Sequence, residues 1–128
     1  MATTVNSLGA AKVTAEYIQR GEALDYKNTG TKAIPCDTVV AVGGRIGVTG
    51  GEIKPGELGS LHMVGVFKIP KTGTDAIEMG TAVYFDGAGI TDAESDGAET
   101  NPTAYTPAGY AAAPALAADD FALVKLLG

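Results

Sequence analysis

Tryptophan is absent from this chain, cysteine and histidine each occur once, and phenylalanine occurs only three times. The single cysteine, Cys36, excludes an internal disulfide and any zinc site built on several thiolates. The single histidine, His62, leaves nucleophilic catalysis one candidate base. With so few large aromatics, an apolar content of 45% is met largely by Ala and Val, so the expected core is thin. Cations are scarce as well: nine Lys and Arg against fifteen Asp and Glu give a net charge of -6. Such a chain is repelled by phosphate backbones and anionic bilayers, which argues against nucleic acid or membrane as a direct partner.

Long hydrophobic runs are also missing. The longest weakly polar stretch, residues 108–118, is mostly alanine, is broken by Pro114 and is too short to cross a bilayer. The opening MATTVNSLGAAKVTAEYIQ has no cationic leader followed by an apolar segment, so it does not read as a secretory signal. The expectation is a soluble protein.

What the chain does have is punctuation. Eighteen Gly and six Pro are spread through 128 residues, a length that suits one domain, and they leave no room for long helices. Short strands fit this spacing. The clearest covers residues 61–69, with Leu61, Met63, Phe67 and Ile69 on one face and His62, Val64, Val66 and Lys68 on the other. The closing segment alternates in the same way, setting Phe121, Leu123 and Leu127 against Ala122, Val124 and Leu126. Strands that are apolar on both faces need two covers, which points to an interior sheet or a neighbouring subunit. Further strands are expected at residues 23–27, 38–42, 45–48, 82–86 and 13–19. Hairpin turns are expected at Gly43-Gly44 and, as a type I′ turn, at Asp86-Gly87.

A repeat runs through the middle. AIPCDTVVAVGG, starting at Ala33, matches AIEMGTAVYFDG, starting at Ala76, at a spacing of 43 residues, and each copy returns as a second strand, at residues 45–48 and 90–91. Spacing alone leaves duplication and the chance likeness of two hairpins both open. Residues 1–12 and 92–107 lack periodicity and are rich in small polar residues, Pro and acid, as expected of arms that order on a partner.

Each reactive constellation departs from its chemistry at a decisive position. Asp92, Glu94, Asp96 and Gly97 have the spacing of a calcium loop, but Thr103 stands where the bidentate Glu belongs. Gly65, Lys71 and Thr72 follow a phosphate loop, but Pro70 replaces its second glycine and removes an N–H from the cradle. Ser60 and His62 point the same way along one strand, roughly 6–7 Å apart, beyond hydrogen-bond reach. Cys36 is followed by Asp37 and has no cationic neighbour, so it reads as a buried structural thiol.

The order of elements resembles the small tailed-phage capsid cement, or head-decoration, proteins. The resemblance rests on EYIQRGEALDYKNTG (residues 16–30), DTVVAVGGRIGV, GELGSLHMVGVFKIPK, GTAVYFDGAGIT and the closing ALVKLL, and covers residues 16–127; the acidic, Ala- and Pro-rich passage 92–118 is longer than the family's compact pattern. It implies an all-β fold, a small β-barrel or sandwich-like single domain over residues 13–128, with a flexible N-terminal arm over residues 1–12. It further implies a structural virion protein with no catalysis and no cofactor, made in the host cytoplasm and attached to the outer capsid surface through the major capsid protein. A homo-oligomer is expected, the family favouring a trimer. The residues expected to make capsid or subunit contacts are Thr3, Thr4, Val5 and Leu8 in the arm, and His62, Val64 and Val66 on the two-faced strand. The competing reading is a small β-barrel carbohydrate- or peptide-binding module of a phage structural protein, with Tyr17, Tyr26, Tyr84, Phe85, Tyr105 and Tyr110 as its aromatic platform.

Overall fold

Runs of two to seven residues, most of them rich in Val, Ile, Leu and aromatics, build two antiparallel sheets in the computed structural model, which describes residues 13–127. The first sheet holds β1 (Ala23–Lys27), β2 (Val39–Val42), β3 (Arg45–Thr49) and β4 (Leu58–His62), in the order β1-β4-β3-β2. The second holds β5 (Val64–Pro70), β6 (Ala82–Phe85), β7 (Ile90–Thr91), β8 (Thr106–Ala111) and β9 (Phe121–Leu127), in the order β5-β9-β8-β6-β7. A parallel bridge from Lys71 to Ile90 draws the end of β5 onto β7, so the second sheet curls towards a barrel while packing on the first as a sandwich. Among the described residues there is no helix, and so none long and apolar enough to cross a membrane.

The core lies between the sheets. Ile46 and Val48 of β3 meet Ile69, Val83, Ile90, Val124 and Leu126, with Ala108, Ala111, Ala115 and Ala122 between them. Each buried Val, Leu or Ile contributes roughly 1.5–3 kcal/mol, whereas the alanines add little and serve mainly to let the layers approach. The core is as thin as the composition implies. Two buried polar side chains pin the loops of the first sheet. Asn28 donates through Nδ2 to Lys32 O (2.8 Å) and Ile53 O (2.9 Å) and accepts from Gly30 N. Thr49 donates through Oγ1 to Pro35 O (2.7 Å) and accepts from Thr38 N (2.9 Å).

The repeat proves to be a shared structural plan. Ile34 and Ile53 exchange both backbone hydrogen bonds, and so do Ile77 and Ala115. Asp37 N and Gly80 N, 43 residues apart, donate to Thr49 O and Ala111 O, and both residues have positive φ, 60° and 89°. Even a turn cap recurs: Glu57 Oε1 accepts from Lys54 N as Asp119 Oδ2 accepts from Leu116 N. Thus β1, β2, β3 and β4 correspond to β5, β6, β8 and β9, each pair holding the same place in its sheet. The return strand at Ile90 and Thr91 does pair with β6, but β8 takes the place of β3; β7 and the acidic loop are an insertion between β6 and β8.

Four expectations are corrected. Residues 61–69 are not one strand: the inside–outside alternation holds, but the chain leaves the first sheet at His62 and enters the second at Val64, with Gly65 at φ 133°. Residues 13–19 form no strand, because nothing among the described residues pairs with them. The turn at Asp86-Gly87 is a four-residue loop, since Phe85 pairs with Ile90 and the Asp86 carboxylate accepts from Ala88 N and Gly89 N. Cys36 is exposed, not buried. The acidic passage also folds back on itself, with Ser95 bridged to Ala104 and Asp96 N donating to Thr103 O.

Candidate binding surface

Pairing between β5 and β9 sorts their side chains into two faces. Phe67 opposite Val124 and Ile69 opposite Ala122 look into the core, whereas Val64 opposite Leu127, Val66 opposite Lys125, Lys68 opposite Leu123 and Pro70 opposite Phe121 look outward. The outward set is apolar and uncovered: Val66 is 54% exposed, Phe121 45% and Leu127 64%. Two cations lie across it. Lys68 Nζ sits 4.5 Å from the centre of the Phe121 ring, and Lys125 Nζ 6.0 Å from that of Tyr110, so both charges are held flat against the face by the ring quadrupoles. A scattered exposed Leu needs no explanation; a contiguous apolar strip along two strands marks an interaction surface.

The residues that suggested chemistry are spent on structure. Lys71 Nζ donates to Asp75 O (3.0 Å) and Ala117 O (3.2 Å), and Thr72 Oγ1 donates to Asp86 Oδ2 (2.7 Å). Partial desolvation raises the pKa of Asp86, but the hydrogen bonds from Thr72, Ala88 and Gly89 outweigh it and hold the carboxylate below its ordinary value. Hydrogen bonds from Ala98 N and Thr103 N do the same for Asp96, tying that carboxylate to its own loop. No cluster of three or more His, Cys, Asp or Glu side chains suited to a metal is formed among the described residues.

The family model described as phage cement protein matches residues 18–126. The chain belongs to that family. No curated protein and no solved structure matches it at a significant level. Membership gives this cement protein a structural role at a phage capsid.

Of the residues expected to make contacts, Val64 and Val66 lie on the exposed β5–β9 face beside Phe121, Leu123 and Leu127, with Tyr110 of β8 next to Lys125. His62 does not: it ends β4 in the first sheet, tilted against Phe67 with 6.4 Å between ring centres. Thr3, Thr4, Val5 and Leu8 lie outside the described residues. The six aromatics of the carbohydrate reading are divided among the segment before β1, β1, β6, the acidic loop and β8, with Tyr84 and Phe85 on opposite faces of β6. The signal for Phe121, Leu123 and Leu127 is present in the sequence, in the two-sided alternation of residues 121–127; nothing comparable marks Tyr110.

Proposed function

We propose that this cement protein binds the outer surface of an assembled phage capsid, contacts the major capsid protein and stabilises the shell without catalysis. The observation that carries the reading is the apolar, lysine-crossed face of β5 and β9. In a chain of net charge -6 it is a local patch of opposite sign with five uncovered large apolar side chains, suited to a partner that is itself apolar and acidic at the contact. A ligand that binds only the assembled shell stabilises it by mass action, and repetition over many equivalent sites multiplies the effect. Residues 13–128 act as one decoration domain, as a homo-oligomer for which the family favours a trimer. Residues 1–12, including Thr3, Thr4, Val5 and Leu8, add an arm that orders on the shell.

Co-sedimentation with undecorated capsids tests this. Saturable binding at a stoichiometry set by the capsid's symmetry is expected, with a raised shell melting temperature. Indifference to capsids at saturating protein overturns the reading.

A further inference from the structure

The segment before β1 is built like a strand and pairs with nothing among the described residues. Val13, Tyr17 and Ile18 are 102%, 78% and 79% exposed, and every residue from 13 to 20 is open to solvent. Its one side-chain hydrogen bond among the described residues is local, from Arg20 Nη2 to Glu22 Oε1 at 2.6 Å. Three large apolar side chains on these eight exposed residues lose several kcal/mol of burial if they stay in water. The same sequence satisfies strand periodicity, so what it lacks is an edge to join.

Such an edge exists on the body. β5 is the outermost strand of the second sheet, seven residues long, and its sequence VGVFKIP carries one charge and a proline only at its end. Long apolar edges of this kind template pairing with another chain, and proteins normally blunt them with charge, bulges or a covering segment. Beside this edge runs a groove lined by Asp37, Val39, Val48, Phe67, Ile69 and Pro70, which can take side chains from an added strand.

The geometry of the connection says whose edge is joined. Glu22 O accepts from Met63 N (2.8 Å), at the residue linking β4 to β5, so the segment leaves the body near the start of β5. Gly21, at φ 79°, then turns it away, a conformation that favours glycine. We infer that residues 13–19 of one copy add as a strand to the free edge of β5 in a neighbouring copy, linking the cement protein into a closed oligomer by strand exchange. The edge is open from the start of β5 until residues 89 and 90 close on its Pro70 end, and each copy supplies one segment and one edge, so a ring leaves no segment without a partner. The inference adds to the cement reading how copies are joined; its test uses free protein, so its failure and a failure of capsid binding are read separately.

In a Cys36→Ser background, a chain carrying Ile18→Cys is mixed with a chain carrying Val66→Cys and oxidised. A disulfide-linked dimer of the two chains is expected, formed at least tenfold faster than when Asp25→Cys replaces Val66→Cys. Light scattering of the unmodified protein should give an oligomer, and Ile18→Pro, which removes a ladder donor from a segment the body does not need, should weaken association roughly tenfold or more while leaving the melting midpoint of the body unchanged. A monomeric unmodified chain overturns the inference. So does an oligomer indifferent to Ile18→Pro, or a chain carrying both Ile18→Cys and Val66→Cys that closes only on itself. Loss of capsid binding on Ile18→Pro without any self-association would place the segment on the shell instead, and also overturns it.

Discussion

Ile53 fills the space that Gly59 leaves on β4: a Cβ built at Gly59 would overlap the Ile53 side chain, which is 1% exposed. Ile53 is buried, as are Leu61 and Met63, outside the main core cluster. Gly59→Ala is therefore expected to destabilise by about 1–3 kcal/mol, the usual cost of overpacking a closed site. Pairing it with Ile53→Val, which trims the obstructing chain, should recover part of the loss. Denaturant midpoints of the two variants and the double variant measure this; full additivity of the two losses would contradict the contact.

Thr49 ties residues 35 and 38 to β3 through one hydroxyl. Thr49→Val keeps the shape but strands Pro35 O and Thr38 N, and should cost about 1–3 kcal/mol. Because the second half has Ala111 at the matching place, with no hydroxyl, the loss should fall on the first sheet. Hydrogen exchange at residues 36–40 is expected to rise while that at residues 78–82 stays constant.

The strands themselves were largely legible. Residues 23–27 were read to the residue, and β2, β3 and β6 to within one, because alternation and Gly-bearing turns act locally. Two kinds of feature were hidden. The step from β4 to β5 leaves the alternation of residues 61–69 intact, so periodicity cannot show that the chain changes sheet at Met63. The exposed β5–β9 face was half visible: Val64 and Val66 stood out, but only the pairing of β5 with β9 places Leu127 and Phe121 beside them. The strand expected at residues 13–19 is absent, because a strand needs a partner and a single sequence does not supply one.

Acid should test Asp86. Its folded pKa lies below the ordinary value, so its carboxylate adds stability that is fully present above the unfolded pKa, near 3.9, and is lost as pH falls through the folded pKa. Asp86→Asn is expected to melt earlier than the unmodified protein at neutral pH, and the gap should narrow as pH falls below the unfolded pKa and through the lower folded one. A gap that persists or widens in acid would mean that Asn fails for reasons of shape, and not of charge.

Cys36 is exposed, yet partial desolvation and then the Asp37 carboxylate hold its thiol above the usual range, with Gly50 O within 3.6 Å of Sγ. A maleimide or iodoacetamide should label it once per chain at neutral pH, more slowly than a cysteine in an unstructured peptide. Asp37→Asn should speed the reaction by removing the repelling charge. Asp37 also sits at φ 60°, which Asn tolerates as well as Asp does, so the backbone is preserved in this comparison. An unchanged rate would remove the carboxylate as the cause.

The face and the edge of β5 make separable demands, and that separation tests the capsid reading most sharply. Val66→Glu places a carboxylate opposite Lys125 on the same face, where the pair can neutralise itself and the fold is kept. Leu127→Glu adds a second charge at the end of the strip. Leu127→Glu, on β9, touches neither the β5 edge nor residues 13–19, so its self-association should stand; Val66 lies beside the added strand of the neighbouring copy, so Leu127→Glu is the variant that separates face from edge. Capsid occupancy should fall roughly tenfold or more, since about 1.4 kcal/mol is lost for each factor of ten and the apolar centre of an interface carries most of its energy. Deletion of residues 2–12 is expected to lower occupancy as well, again without loss of the oligomer. Quantitative co-sedimentation set against light scattering distinguishes the cases. If the two face variants decorate capsids as the unmodified protein does, the β5–β9 strip is not the surface that meets the shell.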